Sequence, residues 1–279
     1  MGRMPPEVMQ RELDTAWQNV FTYASWAVVL VMFVIAWQMG VKQRTPFYFL
    51  AVIAAGLAAF AEPLYDVTFD LWFYDAHADG SPGAMQSHFT AFGIVQPNWT
   101  HSGYMILYAN AALYAGRKIY EGRFTIKHLF AVFGIELVTS CVFEVIGTGT
   151  HVYTYYGPYE FRIWNYPLVI GFLEATQVCL FTVLACQIWR RVTKPVGLLG
   201  LIALFPITMF GANCGVGFVT IITMHLNDPK PNSFAIGTAN LVTMGMCLIA
   251  VWGISLLLPK PFGAQEPDGA PVPRAAVTA

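Results

Sequence analysis

ELVTSCVFEVIGTGTHVYTYYGPYEFRIWNYPLVIGFLEATQ, residues 136–177, sets helix-length apolar sequence against carboxyl groups. Its two flanks are apolar, yet they carry Glu136, Glu144, Glu174 and Gln177. The connection between them is rich in Gly, Tyr and Thr and holds His151, Tyr153, Tyr155, Tyr156, Arg162 and Trp164. A carboxylate at the centre of a membrane span costs about 2.5–3.5 kcal/mol on insertion scales, so carboxyl groups placed there point to function.

The rest of the chain supports a membrane setting. It is 56% hydrophobic and 11% charged, where a soluble domain carries about 25% charge. Apolar runs near 21–39, 47–66, 102–116, 129–147, 166–189, 196–225 and 234–258 approach the roughly 20 residues a span requires. The sequence therefore predicts an all-α, polytopic bundle of about seven transmembrane helices. The sixth run, interrupted by Pro206 and the glycines at 211–217, predicts a kink.

Lys and Arg alternate between connections. Lys42 and Arg44, then Arg117, Lys118, Arg123 and Lys127, then Arg190, Arg191 and Lys194 mark the first, third and fifth. The second has none, the fourth only Arg162 and the sixth only Lys230. By the positive-inside rule the N-terminus is outside and the C-terminus cytoplasmic. Residues 1–20 are expected to form an interfacial segment without a signal peptide, 21–258 the bundle and 259–279 a disordered tail.

With that orientation the polar residues collect in the outer half. Glu62, Asp66 and Asp70 follow at i, i+4 and i+8 on one helical stripe, and Glu136, Ser140 and Glu144 do the same on another. His101, Glu174, His225 and Asn240 fall in the same half, and Glu136 is the exception. A cavity in the outer half of the bundle is the expectation. There a carboxylic acid could deliver a proton to an alkene or epoxide, and an ionised neighbour could take one back. Gly147 and Gly149 are read as letting the backbone turn or approach a ligand after Glu144. The aromatic connection suits either an interfacial belt or a pocket wall that stabilises a carbocation.

Other chemistries lack their residues. Net charge is −1, and nothing calls for nucleic acid. The five cysteines show no CxxC spacing and the histidines match no metal pattern, so no metal or cofactor is expected. Asn213 and Asn240 are read as interhelical donors that could also touch a ligand. A retinal Schiff base needs a lysine in the last span, and 234–258 has none.

Glu144-x-x-Gly147-Thr148, then Tyr153-x-Tyr155 or Tyr156, Gly157 and Pro167, resembles the carotenoid hydratase family, membrane enzymes that add water across terminal double bonds of carotenoid precursors. The intramembrane carboxylates are also similar to those of small seven-span terpene cyclases. The resemblance covers about 25 residues and implies Glu144 as the catalytic carboxylate and Tyr153 as a pocket residue.

The expectation is thus a cofactor-independent acid/base enzyme, a lyase or isomerase of terpenoid cyclase or hydratase type. It would act on a lipophilic isoprenoid within the bilayer, in the plasma membrane. Glu62, Asp66, Glu144 and Glu174 are its candidate catalytic groups. Glu136, His101, His151, Tyr153, Tyr156, Trp164, Asn213 and Asn240 are its candidate substrate contacts. The rivals are a proton- or cation-coupled carrier or receptor-like protein, and a scaffold subunit whose carboxyls only join helices.

Overall fold

A computed structural model describes residues 5–77, 79, 83, 85–227 and 230–263. After a single turn, α1 (Pro6–Met9), the long helix α2 (Thr15–Gln43) begins where Asp14 accepts a hydrogen bond from Trp17 N at 3.0 Å. This N-cap starts the helix six residues before the apolar run, within the expected interfacial segment. Then come α3 (Phe47–Ala58), a 3₁₀ turn, and α4 (Glu62–Phe69). α5 (Trp99–Tyr114) is followed by α6 (Gly116–Tyr120), α7 (Ile126–Gly149) and α8 (Leu168–Arg191). The chain ends in α9 (Gly200–Phe210), a π-helical stretch (Gly211–Val216), α10 (Gly217–Met224) and α11 (Ser233–Ser255).

Helix accounts for 71% of the described residues. Among the described residues, six helical stretches are long and apolar enough to cross a membrane: Thr15–Gln43, Phe47–Phe69, Ile126–Gly149, Leu168–Arg191, Pro195–Met224 and Ser233–Ser255. The chain is a membrane protein. α5, the remaining apolar helix, has 16 residues and falls short. Ala115 N and Ile119 N nevertheless bond to Ala111 O and Ala115 O, carrying the helical path on into α6.

The connections are not plain loops, as an all-α reading had them. β1 (Leu71–Phe73) pairs antiparallel with β4 (Tyr153–Tyr155), setting Leu71 opposite Tyr155 and Phe73 opposite Tyr153. β2 (Ser87–Ala91) pairs with β3 (Ile94–Pro97), and β5 (Arg162–Ile163) with β6 (Tyr166–Pro167). Backbone amides beside a membrane need partners, and these short ladders supply them. The strands gather with the start of α2 at one end of the bundle: Asp14 N donates to His151 O at 3.4 Å, and Gln86 N to Gln18 Oε1 at 2.8 Å.

The opposite end is aromatic and basic. Trp189 stacks between Phe47 and Tyr120, with ring centroids 4.3 and 4.1 Å away, and Arg190 lies over Phe262. Pro259–Gly263 therefore packs against the bundle. The rest of the expected tail, 264–279, lies outside the described residues.

Candidate active site

Three carboxyl groups from three helices meet in one cavity. Glu62 opens α4, Glu144 lies in the last turns of α7, and Glu174 sits two turns into α8; all are buried, at 6%, 6% and 3% exposure. Tyr65, Trp99, Tyr104, Tyr108, Phe143, Tyr153 and Tyr155 complete most of the wall, with Leu71 and Phe73 of β1 above. No Lys, Arg or His of the described residues lines it. The space offers about 40 Å³ to the centres of water-sized molecules. At roughly 10–15 Å³ each, that is about three waters, so anything larger enters by moving aromatic walls.

Each carboxyl group has a different setting. Tyr104 Oη hydrogen-bonds Glu62. Glu174 receives Tyr108 Oη at 3.0 Å, Tyr166 Oη at 3.1 Å and the Ser140 hydroxyl. Glu144 has the hydroxyls of Tyr153 and Tyr155 beside it, yet its Oε2 makes no hydrogen bond. Burial first, and the Glu144 charge second, push the Tyr153 and Tyr155 phenols of β4 well above their usual range. Both stay O–H donors at any physiological pH.

Gly147 explains how Tyr153 reaches Glu144. The expected turn at the glycines does not form, because α7 runs on through Gly149. A Cβ at Gly147 would stand 2.2–2.4 Å from the Tyr153 ring and hydroxyl. The glycine makes room for a tyrosine one turn beyond the carboxyl group. Phe21 of α2 closes the cluster, with centroids 5.1 Å from Trp99, 5.0 Å from Phe143 and 6.5 Å from Tyr153.

The other candidates lie around this centre. Asp66 is fully buried one turn after Glu62 and accepts from Gln96 Nε2 of β3 at 2.6 Å, joining the hairpin to α4. Glu136 is held apart by Asn110 Nδ2 at 3.1 Å and Tyr114 Oη at 2.6 Å. His101 faces His88, Nε2 to Nε2 at 2.7 Å, while its Nδ1 lies 2.7 Å from Gly56 O. A carbonyl only accepts, so His101 Nδ1 carries a proton toward Gly56 O. The pair thus fastens hairpin β2–β3 to the bundle.

His151 holds φ +57° beside the start of α2. Burial and Arg11 lower its pKa. Tyr156 N bonds Asp70 O at 2.8 Å, outside the cavity. Trp164 is 80% exposed and touches no pocket wall. Asn213 Nδ2 caps Met209 O at 2.9 Å, and Asn240 joins Glu160 O to Thr220. Arg162 donates to three loop carbonyls, of Tyr155, Gly157 and Asn165. Burial lowers its pKa.

Tyr104, Tyr108, Trp99 and Gln96 were not singled out from sequence. Tyr104 and Tyr108 do stand at i, i+4 in the third apolar run, the same spacing as the carboxyl groups of the stripes they meet. Compared with protein-family models, curated proteins and solved structures, the chain matches none.

Proposed function

We propose that this is a membrane-embedded acid/base enzyme that needs no cofactor and acts on a lipophilic isoprenoid, as a cyclase, hydratase or isomerase. The observation that carries it is the convergence of Glu62, Glu144 and Glu174 on one aromatic cavity without a cation. Buried carboxyl groups in unlike settings suit unlike roles. Glu144, with Oε2 bare toward the cavity, is the proton donor to an alkene or epoxide, and Glu62 is its neighbour in reserve. Glu174, at which three O–H donors point, is the base that takes a proton from the resulting cation. The rings of Tyr and Trp stabilise the cation between the two steps. A product of unchanged mass results, or one heavier by water if water captures the cation.

In this reading the chain crosses the plasma membrane seven times. Residues 99–120 make the third crossing, at about 33 Å for a continuous helix. The N-terminus and the strand-bearing end lie outside, the basic end in the cytoplasm.

Purified protein incubated with linear polyprenyl and epoxy-isoprenoid substrates, with products read by mass spectrometry, tests the chemistry. Glu144→Gln and Glu174→Gln should each lower turnover by about 10²–10⁴-fold, the usual worth of a positioned acid or base. Turnover indifferent to Glu62→Gln, Glu144→Gln and Glu174→Gln would sink the proposal. A cavity lined by acids without a counter-ion also suits a cation carrier, and proton-coupled uptake in liposomes by a catalytically silent protein would favour that rival.

A further inference from the structure

The cavity wall carries four buried polar atoms without a close hydrogen bond: Tyr65 Oη, Trp99 Nε1, Glu144 Oε2 and Tyr153 Oη, the Tyr153 hydroxyl standing beside the Glu144 carboxyl group. Their residues are 3%, 4%, 6% and 2% exposed. They come from α4, α5, α7 and β4, so no local feature of one element accounts for them together. Elsewhere in the cavity the polar groups are paired, Tyr104 with Glu62 and Tyr108 with Glu174. A buried polar atom left alone is costly, and native proteins rarely leave several around one space.

The chemistry of the four atoms is specific. Indole N–H donates only, each phenol O–H donates and can accept, and the carboxyl oxygen completes the set. A hydrocarbon would leave Tyr65 Oη and Trp99 Nε1 unmet, and Tyr153 and Glu144 with only each other. An oxygen atom on the ligand would answer the donors, and a ligand hydroxyl would answer Glu144 as well. The free space, about 40 Å³ at the centres of water-sized molecules, matches an oxygen-bearing carbon and its nearest neighbours, not a whole chain. Phe143, half-buried on the same wall, and Leu107 give the attached chain an apolar surface to follow.

We propose that the cavity recognises an oxygenated isoprenoid, a ketone or alcohol, by its oxygen function, and discriminates against the corresponding hydrocarbon. This rests on the acid/base reading for the site's purpose but not for its ligand contacts. It places the oxygen of the substrate between Trp99, Tyr65 and Tyr153 with Glu144 in reach.

The test is competition binding on monodisperse protein in nanodiscs, with tritiated farnesylacetone as probe. Its competitors are unlabelled farnesylacetone and the hydrocarbon in which C=O is replaced by C=CH₂. A site built to hydrogen-bond an oxygen rejects the analogue lacking it strongly, so the ketone should compete at least about 100-fold better. Tyr65→Phe and Tyr153→Phe each remove one oxygen atom and keep the ring. Each should weaken ketone binding roughly tenfold, the worth of one hydrogen bond, and leave the hydrocarbon unchanged. Trp99→Phe should do the same, and the two tyrosine variants keep the test decisive if it folds poorly.

Equal competition by ketone and hydrocarbon overturns the proposal, as does failure of the ketone to bind intact protein, which leaves the four atoms to water. Ketone preference in a protein whose turnover ignores Glu144→Gln and Glu174→Gln would keep this inference and remove the acid/base one. Carboxyl-dependent turnover of a hydrocarbon without ketone preference would do the reverse.

Discussion

Gly147 decides more about the candidate site than its size suggests. It allows the Tyr153 ring against α7 where any side chain would collide. Gly147→Ala should therefore cost about 1–3 kcal/mol of stability through overpacking. It should also lower activity by at least about tenfold, because Tyr153 leaves Glu144. Denaturant titration and turnover measured on the same preparation check both. A variant of unchanged stability would show that the ring moves freely.

The residue scale is also where the sequence was least legible. Three of the four acids named from it line the cavity, since a carboxyl group in an apolar run is a loud signal. The tyrosines that hold them are quiet, because Tyr104 and Tyr108 look like ordinary amphipathic residues until their partners, 42 and 66 positions away, are in place. Trp164, conspicuous in sequence, is an exposed ring.

Among the elements, the sixth apolar run shows how a predicted kink is built. Pro206 removes a backbone donor inside α9, and six residues of π-helix follow before α10. The Asn213 side chain meets one displaced carbonyl, that of Met209. The π-helix shifts the face that α10 presents to α11, where Thr220 donates across to Thr243 Oγ1 at 2.9 Å and lies 3.2 Å from Asn240 Oδ1. Thr220→Val should destabilise by about 0.6 kcal/mol and at most about 1.7, the range for interhelical hydrogen bonds in membranes. Equilibrium unfolding in mixed micelles would read this, and a larger loss would mean that the contact sets the register of the helices. Hydropathy located every long helix, because length and apolarity fix a span. It missed the strands, because pairs of two to five residues leave no periodic trace.

The whole molecule is polar in layout: paired strands, histidines and the cavity roof at one end, cations and stacked aromatics at the other. Asp14, His151, Gln86 and Gln18 meet at a single end. A protease site or a cysteine label in the β2–β3 hairpin should be accessible only from outside intact cells. One placed at Val196 should be accessible only from the cytoplasm. Labelling of both positions from the same side would remove the seven-crossing arrangement.

The distances along the chain between the carboxyl groups and their donors have a consequence for biogenesis. Glu62 leaves the ribosome 42 residues before Tyr104, and Glu174 follows Tyr108 by 66. At about 5–20 residues per second, α4 waits several seconds at the insertion machinery with a carboxyl group and no partner. The expected consequence is that the nascent chain is sheltered from lipid at the translocon's lateral exit until α5 arrives. A chain stalled before Trp99 should crosslink to that exit rather than to lipid.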